Sequence, residues 1–265
     1  MLVALAIYGG VGAVAGVLAG LLGVGGGVVI VPMLVFSFKL LDIPLVVMMH
    51  LALGTSLASI IFTSISSFMA HHRRGAVYWL VVRRIVIGIM TGTFIGTCFV
   101  ATLSTPTLKI VFVIFLYTVA AQFLLDKKPK PGRELPGRAG MFGAGNIIGF
   151  VSSLVGIGGG SLSVPFMIWC NIPVHRAIGT SAAIGLPIAV AGAFGYVFNG
   201  WSDPNLPDYA LGYVYLPALF GIAAVSVLTA PLGVRLAHSL PVGRLKKIFA
   251  LLLIVVGARM LIGLL

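Results

Sequence analysis

Long apolar runs, separated by short polar or glycine-rich stretches, organise this chain. They cover residues 2–41, 44–70, 85–101, 107–125, 140–172, 173–199, 213–238 and 245–265. A helix that crosses a bilayer needs about 20 predominantly apolar residues, and most of these runs reach or approach that length. A transmembrane barrel would instead show segments of roughly ten residues with alternating polarity, and the runs here do not alternate. Two runs are interrupted by glycines, at 23–27 and 156–160. The pattern predicts an all-α polytopic membrane protein of about 8–10 membrane segments, its count set by whether each interrupted run is two spans or one re-entrant hairpin.

Composition strengthens this reading. Of the 265 residues, 60% are hydrophobic and 8% charged, against about 25% charged in an ordinary soluble domain. A soluble enzyme, a disulfide-stapled secreted domain and a disordered chain are thereby excluded. The two cysteines, Cys98 and Cys170, lie inside apolar runs and read as small core residues. No metal-ligand spacing or cofactor-binding loop appears, so neither metal nor cofactor is expected. The amino-terminal run lacks a basic leader and is not read as a signal peptide.

Charge assigns the sides. Basic residues cluster at Arg73, Arg74, Arg83 and Arg84, then in the linker DKKPKPGRELPGR, then at Arg235, Arg244, Lys246 and Lys247. The loops at 104–106 and 200–212 carry no Lys or Arg. By the positive-inside rule the three basic clusters are cytoplasmic, which accounts for the net charge of +12 without nucleic acid as a partner. Tracing the runs then puts both termini outside and the linker inside.

The halves repeat. GLLGVGGGVVIVP, ending at Pro32, matches SSLVGIGGGSLSVP, ending at Pro165; HLALGTSLA from His50 matches HRAIGTSAA from His175; GAVYW from Gly75 matches GYVYL from Gly212; and LKIVF from Leu108 resembles LKKIF from Leu245. The four matches keep the same order. A first membrane repeat over 1–125, a cytoplasmic basic linker over 126–139 and a second membrane repeat over 140–265 are expected. The charge argument gives the repeats opposite orientation, the usual plan of secondary transporters, with the site near the midplane between halves.

The glycine motifs carry the most chemistry. Glycine costs about 1 kcal/mol per helix position relative to alanine, so GVGGG and GIGGG predict helix breaks, with Pro32 and Pro165 as further structural breaks. From Val28 to Leu41 there are 14 residues, only about 21 Å of helix at 1.5 Å per residue. Irregular backbone at such depth is tolerated where it is buried or lines a cavity. The N–H groups of Gly25, Gly26 and Gly27 and of Gly158, Gly159 and Gly160, opening short helices, would hold an anion without a charged side chain. Close helix packing is the alternative use of these glycines, and the favoured use of Gly88, Gly92 and Gly96.

Thr55 and Ser56, with Thr180 and Ser181, lie in paired Gly-Thr-Ser triplets near mid-depth and offer hydroxyls to a ligand; bonding back to their own helices is the alternative. Ser161 follows the second glycine run where the first has Val28. His50 and His175 match between the halves and are candidates for pH coupling, or else interfacial side chains. Arg176 reads as a headgroup anchor, with attraction of anions to an entrance as the alternative, and Arg259 as a snorkelling side chain. All five acids fall in loops or at run edges, which argues against a carboxylate proton relay and suits an anionic substrate.

The two G-x-G-G-G-x(4)-P elements and two G-T-S elements resemble those of the TauE/SafE family of sulfite and organosulfonate exporters, also called the toluenesulfonate uptake permeases. The resemblance spans nearly the whole chain outside the linker. It implies a prokaryotic inner-membrane permease, with sulfite, sulfoacetate or another organosulfonate as substrate. The first glycine motif departs from the second in lacking serine. The combined expectation is alternating-access transport of a small sulfur-containing anion, with the lipid bilayer and a coupling proton or ion as partners, and no enzymatic activity. A passive anion channel is the alternative. An intramembrane serine hydrolase built on Ser56 and His50 is disfavoured, because six residues along a helix do not share a face.

Overall fold

The computed structural model describes residues 2–23, 25–125, 132–239 and 242–262. Residues 126–131 of the expected linker, with Lys127, Lys128 and Lys130, lie outside the described residues. The side chains of Arg244, Lys246 and Lys247 do as well.

Ten helices follow one another among the described residues: α1 (Leu2–Leu22), α2 (Gly27–Leu40), α3 (Leu45–His72), α4 (Trp79–Ala101), α5 (Thr105–Leu125), α6 (Arg138–Val155), α7 (Gly160–Trp169), α8 (Val174–Gly200), α9 (Leu216–Ser239) and α10 (Val242–Ile262). Five of them, α3, α4, α5, α8 and α9, are long and apolar enough to cross a membrane. The fold is thus an all-α polytopic membrane protein. Among the described residues one sheet occurs, just before α9, where the two-residue strands β1 (Ala210–Leu211) and β2 (Val214–Tyr215) pair antiparallel. No apolar run had signalled that hairpin. Helix α4 begins six residues before its apolar run, because Arg83 and Arg84 sit on its exposed first turns.

Each half has the same order: a helix, a glycine break, a short helix, a long helix and two more. The packing exchanges with the halves. Helix α1 packs chiefly on α9 and α6 chiefly on α4, while α3 packs on α9 as α8 does on α4; α3 lies against α8, and α5 against α10. The α4–α6 seam is made by glycines. A Cβ at Gly88 or Gly92 would strike the carbonyl oxygen of Phe142 or Asn146, and one at Gly96 would strike the Ser153 hydroxyl. Small residues of this kind let two backbones approach in the absence of a hydrophobic drive between helices.

The breaks sit at the glycines and not at the prolines. Gly26 (φ 80°) and Gly159 (φ 75°) are the left-handed N-caps of α2 and α7, a conformation that L side chains pay to adopt. Pro32 and Pro165, expected to break the chain, each lie inside a short helix that continues to Leu40 or Trp169. Each proline removes only the bond to the carbonyl four residues back, at Val28 and Ser161.

Candidate functional site

The two glycine turns are buried and meet each other. A Cβ on Gly25 would lie 3.2 Å from the Cα of Gly158, and one on Gly27 would strike the Gly156 carbonyl and lie 3.0 Å from the Cα of Ile157. Backbone therefore faces backbone, and the N-termini of α2 and α7 converge. The bonds of the first turn begin late: Ile30 and Val29 donate to Gly26, and Ser163 and Leu162 donate to Gly159. The N–H groups of Gly27, Val28, Gly160 and Ser161 are first-turn donors without an acceptor in their own helix. The positive ends of two helix dipoles lie beside these touching turns, and each favours negative charge near it.

The Gly-Thr-Ser triplets hold this arrangement from both sides, each reaching into the opposite half. The Ser56 hydroxyl donates to the Gly156 carbonyl at 2.7 Å, and the Ser181 hydroxyl to the Gly23 carbonyl at 3.0 Å. The Thr55 hydroxyl oxygen accepts the N–H of Tyr215 at 2.9 Å, and that of Thr180 accepts the N–H of Tyr78 at 2.9 Å. Gly54 leaves room for the carbonyl of Tyr213, and Gly179 for that of Ala76. Each triplet thus receives the chain entering a helix of the other half and ties down the other half's glycine turn. All four hydroxyl-bearing residues are fully buried. The partners are the matching segments GAVYW and GYVYL, a pairing visible in the sequence only as repetition.

The second turn is richer in hydroxyls than the first. Ser163 donates to Ser181 at 2.8 Å, extending the Ser181–Gly23 bond into a chain; Ile30 stands at the corresponding place of the first half. Ser161 and Ser152, 6% and 0% exposed, have hydroxyls with no hydrogen-bond partner. They flank the second turn, and a Cβ on Gly159 would lie 3.2 Å from the Ser152 hydroxyl. The first half has Val28 and Ala19 in their stead. Ser152 belongs to neither paired motif, glycine run or Gly-Thr-Ser triplet. Its four-residue spacing before Gly156 was the available signal.

Two cavities lie at opposite ends of α4. One, about 560 Å³, is lined by His50, Ser104, Thr105, Lys109, Asp203 and Tyr213 among others. His50 is buried there, its Nε2 3.2 Å from the Val100 carbonyl and its ring 5.0 Å from that of Tyr213. A carbonyl only accepts, so Nε2 carries the proton; Nδ1 has no partner. Tyr213 donates its hydroxyl to Asp203 at 2.8 Å. Burial, then the Asp203 carboxylate, pushes the Tyr213 phenol well above its ordinary range. Burial acts to raise Asp203, but hydrogen bonds from the Asn205 N–H, the Tyr213 hydroxyl and the Asn205 amide outweigh it and hold the carboxyl below its usual range. The other cavity, about 350 Å³, is lined by Tyr78, Glu134, Cys170 and Arg176 among others. His175 and Arg176 are exposed at that end. The matched histidines therefore have different surroundings, and Ser56 and His50, each bonded elsewhere, form no nucleophile–base pair.

Comparison with known proteins agrees with this architecture. Residues 8–260 match the family described as sulfite exporter TauE/SafE. A probable membrane transporter protein of Haemophilus influenzae is 42% identical over 252 residues, covering 94% of this chain and 95% of that one. A probable membrane transporter protein of Methanocaldococcus jannaschii is 29% identical over 257 residues, covering 95% of this chain and 93% of its own length. YdhB of Bacillus subtilis, likewise described as a probable membrane transporter protein, is 29% identical over 203 residues, or 71% of this chain and 77% of that one. No solved structure matches the chain. A multi-pass helical bundle with paired glycine turns, matched over nearly its full length, is a membrane transporter, and the chain belongs to the sulfite exporter TauE/SafE family.

Proposed function

We propose that this transporter moves a small sulfur-containing oxyanion, sulfite or an organosulfonate such as sulfoacetate, outward across a prokaryotic inner membrane by alternating access. The substrate is held between the two glycine turns, its oxygens taking the first-turn N–H groups at Gly160 and Ser161 and the hydroxyls of Ser161 and Ser152. The observation that carries this reading is the convergence of two buried helix N-termini beside two buried, unpartnered hydroxyls. An anion satisfies all of these donors at once, and backbone donors bind it without a desolvated lysine or arginine.

The repeats, 1–125 and 140–265, are read as inverted about an axis in the membrane plane, with both termini outside and the linker in the cytoplasm. The exchange of packing pairs between halves supports this reading, as do the cross-half bonds of the two Gly-Thr-Ser triplets. In such a design the halves rock about a fixed central site. The triplets, bonded across the halves, are the joints of that motion, and their hydroxyls act on the substrate through the turns they hold.

The test is uptake by proteoliposomes carrying the purified protein, with sulfite, sulfoacetate, taurine and sulfate as substrates, with and without a pH gradient. Saturable flux of sulfite or sulfoacetate, with exchange of labelled for unlabelled substrate, is expected. Flux that neither saturates nor exchanges would make the protein a channel, and absence of flux for every sulfur anion would remove the substrate assignment.

A further inference from the structure

Three cations from three helices line one cavity of about 210 Å³: Lys39 at the end of α2, Lys109 near the start of α5 and Arg259 near the end of α10. Among the described residues, no carboxylate lines this cavity. Asp203 stands in the adjoining larger cavity, which shares Lys109. The Arg259 guanidinium lies 5.5 Å over the ring of Phe36, which holds its charge at the cavity wall. The rest of the lining is apolar and includes Val35, Leu45 and Met260.

The position of this cluster is unusual. Leu45 begins α3, whereas Arg73 and Arg74 follow its far end. The three cations therefore gather at the end opposite that basic loop, where the positive-inside rule predicts few. Snorkelling accounts for Arg259 alone. It does not account for three like charges, far apart in sequence, brought round one cavity where they repel one another unless an anion lies between them.

We propose that this cavity binds the phosphate-bearing headgroup of an anionic phospholipid, with Lys39, Lys109 and Arg259 bonding the phosphate and the apolar wall receiving the adjoining acyl chains. Charge complementarity supplies the attraction. The mixed lining selects a lipid over a free ion, since a small oxyanion would use the cations and leave the apolar wall against water. Each Lys or Arg near an anionic lipid surface contributes enough to change affinity roughly fivefold.

The experiment uses the purified full chain, stripped of lipid in a neutral detergent. Phosphatidylglycerol, phosphatidylcholine with the same acyl chains, inorganic phosphate or glycerol 3-phosphate is then added. Bound lipid is counted by native mass spectrometry, and the unfolding midpoint is measured. Phosphatidylglycerol should bind and raise the midpoint by several degrees, while the other three should not. In Lys39→Gln/Lys109→Gln/Arg259→Gln its affinity should fall about a hundredfold, and in Lys39→Arg/Lys109→Arg it should persist. If the triple variant does not fold, Lys109→Gln alone should lower the affinity about fivefold. Equal binding of the two phospholipids, or variants that keep the wild-type preference, would overturn the proposal. Protection by phosphate or glycerol 3-phosphate equal to that by phosphatidylglycerol would also overturn it, making the cavity a free-anion site.

Discussion

The hydroxyl of Ser181 donates to the carbonyl of Gly23 across 158 positions of sequence, and its counterpart Ser56 does the same for Gly156. Neither bond is local. Each satisfies a carbonyl stranded by the glycine turn, in a buried region where an unmet acceptor costs about 1–3 kcal/mol. Ser56→Ala and Ser181→Ala should both lower the unfolding midpoint in detergent. The Ser181 change should cost more, because it also strands the Ser163 hydroxyl. Adding Ser163→Ala to Ser181→Ala should restore part of the loss. Equal effects of the two single changes would show that the Ser163 link contributes nothing.

Glycine at the head of each triplet answers to sterics of unequal severity. A Cβ at Gly54 would overlap the carbonyl oxygen of Tyr213, while one at Gly179 would sit 2.8 Å from that of Ala76. Overpacking of a tight interior costs about 1–3 kcal/mol. Gly54→Ala should fall at the upper end and Gly179→Ala at the lower, as read by the unfolding midpoint and the yield of monodisperse protein. A larger loss for Gly179→Ala would contradict the geometry.

Much of the fold was legible because membrane helices announce themselves through length and apolarity. The glycine breaks were legible because no other residue concentrates the same conformational freedom. The partners of Thr55, Ser56, Thr180 and Ser181 were not. They are backbone groups of the other half, and a backbone donor or acceptor leaves no mark on residue identity. The matched histidines show a second limit. Ten positions separate Pro44 from Gly54, but only six separate Pro173 from Gly179. His50 therefore sits about one helical turn, roughly 5–6 Å, further into its helix than His175, which makes one buried and the other exposed. Helix α4 began before its apolar run for a related reason. Arginine is a good helix former, so a charge ends a hydropathy signal without ending a helix.

The loop at Asp203 should make stability depend on pH in one direction. Its carboxyl is held below the usual range by the Tyr213 hydroxyl and by Asn205. A depressed carboxyl stabilises the fold fully above its unfolded value, about 3.9. That contribution is lost as pH falls through the lower folded value. Asp203→Asn should therefore lower the unfolding midpoint at pH 7 and differ progressively less from the parent as the medium is acidified below about 4. Tyr213→Phe should show the same convergence, since its phenol is protonated throughout. A difference that stays constant down to pH 3 would assign the effect to packing.

The last expectation separates holding the fold from holding the substrate. Ser56 is bonded within the protein, whereas the Ser161 hydroxyl is buried without a partner. Removing an unpartnered buried hydroxyl relieves a cost instead of creating one. Ser161→Ala should therefore leave the unfolding midpoint unchanged or slightly raised. If that hydroxyl donates to a bound oxyanion, a charge-assisted bond worth about 1.5–3 kcal/mol is lost, and the KM for sulfite or sulfoacetate should rise roughly ten- to a hundredfold. Ser152→Ala should behave alike. Ala19→Ser and Val28→Ser, at the matching places of the first half, should leave affinity near that of the parent, because the second turn already supplies the hydroxyl donors. Gly159→Leu forces a side chain onto φ 75° and against Ile188, and should abolish flux in protein that still reaches the membrane. An unchanged KM in both Ser161→Ala and Ser152→Ala, with stability also unchanged, would place the anion elsewhere than the second turn.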